Sequence, residues 1–483
     1  MKVEQIYTGC LAEAAYYIES AGEAVIIDPL RETQPYLDKI KEAGVQLKYI
    51  FETHFHADFV SGHLDLAKKT GATIVYGPLA KPNYEIYSAK DGEELQLGKV
   101  RFTILHTPGH TMESTTFLLK DEEDKDYAIF TGDTLFLGDV GRPDLAIKQG
   151  EITKEDLAGY LFDSLREKIM PLADEVIVYP GHGAGSACGK NLSKETWGTL
   201  GDQKQFNYAL RADMTKQDFV EEVTAGLTPP PQYFLKNAKM NKEGYDSFDE
   251  VLERGAVALT PERFLAIAER EEALVLDVRT PAEFAEAHIP GSVFIGLDGS
   301  FAPWVGALIP DLQQAILLVC PAGREEEAVT RLARVGYDNT LGYLDGGLAA
   351  WTAAGRETDS ISSITAEQLA EQVKAGRVGD ILDVRRPTEY LSQHLEVATN
   401  FPLDYINRNM QKLDRHETYY LHCAGGYRSM IAASILKARG FDQLVNIAGG
   451  WKTIETTDIP KTAYACPSSM SQEEIDKAVA AVL

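Results

Sequence analysis

Six side chains in the first part of the chain have the chemistry of metal ligands. His54, His56 and Asp58 alternate along Thr53-His54-Phe55-His56-Ala57-Asp58, directly behind the β-type run Tyr49-Ile50-Phe51. An extended or tightly turned backbone points alternate side chains to one side, so all three can face one point. Further on, His110 lies in Thr107-Pro108-Gly109-His110-Thr111, Asp133 in Gly132-Asp133-Thr134 and His182 in Tyr179-Pro180-Gly181-His182. Each follows an apolar run and sits at a glycine-containing turn, where a strand hands a side chain to a shared edge. A lone histidine is more often a core or surface residue than a ligand. Four at strand ends, with two carboxylates, point to a bound metal ion.

The elements that must position these ligands alternate between strand-like and helix-like runs, an α/β layer pattern. Residues 24–29 read as a buried strand stopped by Pro29, residues 34–43 as a helix, and residues 100–105 and 127–130 as further strands. A first domain over 1–241 is expected, left through Thr228-Pro229-Pro230-Pro231, with the polar stretch 236–249 contributing to a linker over 242–257.

At 483 residues the chain exceeds one core, and three domains are the expectation. Its 47 basic and 73 acidic residues give a formal net charge of -26, which argues against nucleic acid or an anionic membrane surface as a partner. The five cysteines, Cys10, Cys188, Cys320, Cys423 and Cys466, are widely spaced and odd in number, so a reducing, cytoplasmic setting fits better than a disulfide framework. The start lacks an apolar signal region, and no run approaches the ~20 apolar residues of a membrane span. Self-association into a homo-oligomer is left open.

Behind the linker the chain repeats itself. Leu276-Asp277-Val278-Arg279-Thr280-Pro281, with His288 following, recurs as Leu382-Asp383-Val384-Arg385-Arg386-Pro387 with His394. Gly336-Tyr337, Gly346-Gly347 and Trp351 recur as Gly440-Phe441, Gly449-Gly450 and Trp451. Strand and helix alternate in each copy with βαβ spacing, which predicts two small parallel sheets over 258–356 and 363–460. A tail over 461–483 carries a capping box, Ser471-Gln472-Glu473-Glu474, opening one helix.

The six-ligand constellation resembles the metallo-β-lactamase fold, an αββα sandwich with a His-x-His-x-Asp-His motif followed by distant His, Asp and His. Phe59 stands where hydrolases of that fold carry a histidine for a second metal, which disfavours a two-zinc thioester hydrolase of the glyoxalase II type, the alternative reading. The pieces around His110, Asp133 and His182, together with Gly141-Arg142-Pro143-Asp144, are similar to the persulfide dioxygenase branch. That resemblance implies one Fe(II) on His54, His110 and Asp133, with positions open for a substrate sulfur and O2. It leaves His56, Asp58 and His182 as residues that orient the ligands, and His56 as a further ligand stays open. Arg142 is the candidate for gripping a substrate carboxylate or phosphate, and the glycine-rich stretch 183–191, with Cys188, for lining the pocket.

The repeat resembles rhodanese domains, sulfurtransferases with a Cys-x-x-x-x-Arg loop between strand and helix. Cys423-Ala424-Gly425-Gly426-Tyr427-Arg428-Ser429 matches that loop in full. Successive N–H groups of such a loop and the helix start form an anion nest that favours a thiolate and holds a persulfide. Cys423 is thereby the expected nucleophile, Arg428 a holder of the loop or of an incoming anion, and Gly425, Gly426, Tyr427 and Ser429 substrate-binding positions. In the first copy Cys320 lies only four residues before Arg324, Pro321 removes a donor, and Glu325, Glu326 and Glu327 load the helix start with negative charge. That copy is read as degenerate and structural, and Cys10 and Cys466 as inert. The combination implies oxidation of glutathione or coenzyme A persulfide to sulfite, with Cys423 interconverting sulfite plus persulfide and thiosulfate in either direction.

Overall fold

The computed structural model describes residues 1–146, 151–190, 192–227, 230–466, 470 and 472–482. Thr228, Pro229, Asn191 and Ser471, which entered the expectations above, lie outside the described residues. Two compact units emerge, one of Met1–Glu250 with Leu332–Gly336 and one of the remaining residues.

In the first unit two six-stranded sheets face each other. The first runs in chain order through β1 (Lys2–Thr8), β2 (Glu13–Ser20), β3 (Glu23–Ile27), β4 (Gln46–Phe51), β5 (Thr73–Tyr76) and β6 (Tyr87–Ser88). The second comprises β7 (Glu94–Leu97), β8 (Val100–His106), β9 (Thr115–Lys120), β10 (Asp126–Gly132), β11 (Ile177–Pro180) and β12 (Gly198–Thr199), again as neighbours in chain order. Alternating residues of both sheets, among them Phe51, Phe102, Phe117 and Phe130, meet in the middle. Phe51 and Phe117 stack at 4.5 Å between centroids.

Helices α1 (Gln34–Ala43) and α2 (His63–Thr70) cover the outer face of the first sheet through Tyr36 and Leu66. On the second sheet lies α3 (Lys154–Ser164), with Leu161 among the residues packed against Leu118 and Ile129. The layers are therefore α, β, β, α. After α4 (Leu200–Phe206) and α5 (Lys216–Thr224) comes α6 (Phe234–Glu243). The stretch read from sequence as a linker is thus helical, because Phe234, Asn237 and Asn241 share a buried face. A further helix, Phe248–Gly255, lies within the stretch 242–257.

In the second unit the repeat appears as two five-stranded parallel sheets. The first has strand order β13 (Ala258–Leu259), β17 (Thr340–Leu344), β16 (Ile316–Val319), β14 (Leu274–Asp277), β15 (Val293–Phe294). The second repeats that order with β18 (Ser362–Ile364), β22 (Leu444–Ile447), β21 (Tyr419–His422), β19 (Asp380–Asp383), β20 (Ala398–Asn400). The repeated Asp-Val-Arg has a structural purpose: Arg279 forks onto Asp277 and donates to Ala287 O, and Arg385 forks onto Asp383 and donates to Gln393 O. A helix over Gln472–Val482 closes the described chain. Among the described residues no helix is long and apolar enough to cross a membrane.

Phe51 ends the strand that delivers the metal loop and carries the central stack. Phe51→Ala should cost the first unit about 3–5 kcal/mol, read as a lower denaturant midpoint of its tryptophan-independent circular dichroism signal.

Candidate functional site

The loop after β4 is shaped by Asp28, at the end of β3. Its Oδ1 accepts the Thr53 N–H at 2.8 Å and its Oδ2 accepts the Thr53 hydroxyl at 2.8 Å. With its proton directed there, the Thr53 oxygen accepts the Nδ1–H of His54 at 2.9 Å, so the lone pair of His54 resides on Nε2. His110 is fixed likewise, since its Nδ1–H donates to the carbonyl of Arg142 at 2.8 Å. Both Nε2 atoms face Oδ2 of Asp133, from 3.9 Å for His54 and 3.4 Å for His110. The shorter separation is the edge expected between tetrahedral ligands that each stand about 2.1 Å from one cation, and the longer one is somewhat wider. Asp133 Oδ2 is buried without a hydrogen-bond partner, and the three side chains lie within one ligand sphere. The donor set therefore fits a metal ion with two neutral imidazoles and one carboxylate.

His182 sits behind Asp133. It donates from Nδ1 to Asp133 Oδ1 and from Nε2 to Asp58 Oδ2, both at 2.7 Å. Burial opposes its protonation, yet Asp133 and Asp58 outweigh it and raise the imidazole well above its usual range. Burial likewise opposes ionisation of Asp133, and the charge of His182 and its hydrogen bond win and hold the carboxyl far below the usual range. His182 is thus an imidazolium that orients the carboxylate and leaves Oδ2 free.

His56 lies beside the triad, 4.3 Å from His54 between ring centroids, but its Nε2 faces Asp28 at 3.1 Å and Glu52 at 3.8 Å. Phe59 is fully buried with its ring against His56 at 4.3 Å, so hydrocarbon fills the place behind the loop. The guanidinium of Arg142, expected from sequence to grip a substrate anion, is forked onto Asp144 at 2.7 and 2.8 Å and also reaches Ala187 O at 3.2 Å, which ties the glycine-rich stretch to the metal site. Cys188, on that stretch, is buried within reach of Asp58 and His182.

Sequence reasoning missed Asn241. From α6 its amide donates to the carbonyls of His56 and Phe59 at 2.8 Å each and accepts the Ser61 N–H at 2.9 Å, pinning the ligand loop at three points. An asparagine on the apolar face of a helix-period stretch was the available signal.

The second candidate centre is the loop between β21 and the helix Tyr427–Ala438. Cys423 is buried, and the Gly426 N–H donates to its Sγ at 3.1 Å. Gly426 has φ 100°, a conformation that favours glycine. Arg428 forms a two-pronged pair with Glu389 at 2.7 and 2.8 Å. The side chains of two of the expected substrate-binding positions are tied to the protein, Ser429 donating to Asn446 and Tyr427 to Gly296 O, both at 2.7 Å. Gly425 is exposed with open space beside it. In the first copy the Gly323 N–H donates instead to Glu325 Oε1 at 3.1 Å, and Arg324 is held by Glu327 and Asp298. Burial, then Glu325, pushes the Cys320 thiol far up.

Comparison with known proteins agrees with this architecture. The model of the metallo-beta-lactamase superfamily matches residues 8–182, and that of the rhodanese-like domain matches residues 260–354 and 365–457. The mitochondrial persulfide dioxygenase ETHE1 of Bos taurus is 30% identical over 44% of this chain and 74% of its own length. The hydroxyacylglutathione hydrolase GloC of Haemophilus influenzae is 32% identical over 35% of this chain and 83% of its own. A crystal structure of a metallo-beta-lactamase from Staphylococcus aureus subsp. aureus COL superposes with TM-score 0.62 and 31% identity, covering 71% of this chain and 98% of that one.

Replacing Asn241 with Leu removes three loop contacts without touching a ligand. Metal affinity, measured by competition with a chelator, should fall about 10- to 100-fold while alkylation of Cys423 keeps its rate.

Proposed function

Because the chain belongs to the metallo-beta-lactamase superfamily and carries two rhodanese-like domains behind that fold, we propose that it oxidises a low-molecular-weight persulfide and transfers sulfur on the same polypeptide. The observation that carries this reading is the pairing of a two-histidine, one-aspartate site, backed by Phe59 rather than a further ligand, with a thiol that receives a loop N–H. A ferrous ion on His54, His110 and Asp133 would supply open positions for a sulfur anion and O2.

The protein's own groups do the rest. Thr53 and the Arg142 carbonyl keep both imidazoles in the tautomer that offers Nε2. His182 holds its proton between two carboxylates and fixes the orientation of Asp133. The overall oxidation balances as RSSH + O2 + H2O → RSH + sulfite + two protons. At the second centre the Cys423 thiolate attacks the outer sulfur of a persulfide, breaking the S–S bond and releasing RS⁻. Sulfite then attacks the sulfane sulfur on Cys423, giving thiosulfate and restoring the thiolate. The same steps in reverse load Cys423 from thiosulfate.

A zinc-dependent thioester hydrolase fused to a sulfurtransferase is the second reading, favoured by the similarity to hydroxyacylglutathione hydrolases. One experiment separates them: O2 uptake, sulfite and thiosulfate are quantified with glutathione persulfide for the Fe(II)-loaded protein and for Cys423→Ser. Uptake should persist in the variant while sulfite accumulates and enzymatic thiosulfate falls about 100-fold or more. Two tightly held zinc ions per chain, hydrolysis of a hydroxyacylglutathione and no O2 uptake would establish the hydrolase instead.

A further inference from the structure

The two rhodanese copies share one compact unit, and the helix that starts the active loop is seated on the silent copy. Tyr427, the residue between Gly426 and Arg428, donates its hydroxyl to Gly296 O at 2.7 Å. Its ring lies against Gly299: a Cβ built there would stand 2.6–2.9 Å from three ring carbons, closer than atoms can approach. Seven residues on, two turns along the same helix face, Ser434 Oγ accepts the Phe294 N–H at 2.9 Å in a buried site. Both anchors thus fall on residues 294–299, the end of β15 and the loop behind it, in the copy that has no working thiol loop of its own. The amide that donates to Cys423 Sγ belongs to Gly426, the immediate neighbour of Tyr427.

We propose that the silent rhodanese copy is the seat of the active loop, with Tyr427 as a positioning residue that sets the aim of the loop N–H groups at Cys423. The inference rests on the reading of Cys423 as the sulfur-transferring thiol. Its physical basis is that an N–H···S contact loses strength steeply with angle, and a helix start whose first side chain is anchored outside its own domain cannot rotate freely. The first copy keeps its fold under this reading because its surface, rather than its cysteine, is required.

Gly299→Ala gives a selective test, because Gly299 is exposed, its φ is ordinary for an L residue, and the added methyl meets the Tyr427 ring. Two readouts are taken: transfer of sulfur from thiosulfate to cyanide, and the pH profile of Cys423 alkylation by iodoacetamide. Gly299→Ala should lower kcat about tenfold with KM nearly unchanged, and move the alkylation midpoint up by about one pH unit. Tyr427→Phe should show the same direction at about fivefold. In a Tyr427→Ala background the added methyl should have no further effect, since the ring it displaces is gone. O2 uptake with glutathione persulfide should stay at the wild-type rate in each variant.

A wild-type kcat and alkylation profile in Gly299→Ala would overturn the proposal, as would an equal loss from that change in the Tyr427→Ala background. Should Gly299→Ala fail to fold, Tyr427→Phe decides alone by the same two readouts. Cys423→Ser keeps the two readings apart: retained cyanide-dependent transfer in that variant defeats the underlying assignment, whereas its loss alongside wild-type Gly299→Ala defeats only the positioning role.

Discussion

Asp28, Thr53 and His54 form a series of carboxylate, hydroxyl and imidazole that decides what the metal loop can do. A hydroxyl has one proton, and with that proton directed to Asp28 it can only accept from the ring beside it. The imidazole must then carry its hydrogen on Nδ1 and present a lone pair at Nε2. Asp28 makes this possible from a left-handed backbone conformation, φ 49°, which for a side chain other than glycine costs about 1 kcal/mol. A carbonyl imposes the same tautomer on His110, because it too can only accept. The two imidazoles reach the site preset, and the geometry of Asp133 follows from the imidazolium behind it.

Donor direction also separates the two rhodanese copies. Both build the same sheet order and the same Asp–Arg fork, so their cores do not distinguish them. The difference is what receives the loop N–H. In the second copy Gly426 donates to sulfur, and in the first Gly323 donates to the carboxylate of Glu325. An internal carboxylate already takes the N–H that a thiolate would receive, and after burial its charge opposes ionisation of Cys320. Shortening by one residue and the acidic helix start act together here, since the glutamate can reach the glycine only from that first turn.

Much of this was legible in the sequence because ligand type, strand-end placement and the repeat are local signals. His54, His110 and Asp133 stood out as ligand types at strand ends, although only the resemblance to the persulfide dioxygenase branch singled them out from the six, and the Cys423 loop could be told from the shorter Cys320 loop by spacing. Arg142 and Asn241 were not legible in the same way. A guanidinium near an acidic site reads as an anion clamp until its partner is known, and Asp144, two residues away, satisfies it. Asn241 lies some 180 residues beyond the loop it pins, and a polar residue on a helix face acquires meaning only once the tertiary fold supplies its partners. The segment that carries it is rich in lysine and asparagine, which is why it resembled a linker, and its helix is stabilised by the face it buries rather than by composition.

Charge bears on which ligand the metal pocket would take. Asp58 and Asp133 flank the His182 imidazolium, so this trio carries one net negative charge in a buried place. Burial meanwhile raises the carboxyls of Glu13 and Glu52 well above their usual range. His54, pushed down chiefly by burial, stays neutral and adds nothing. A divalent cation on the triad turns one net negative charge into one net positive charge. A second divalent cation would raise the charge of that trio to three positive; Asp58, His182 and Cys188 form a further buried group of potential ligand atoms, while the loop position against His56 carries the hydrocarbon of Phe59.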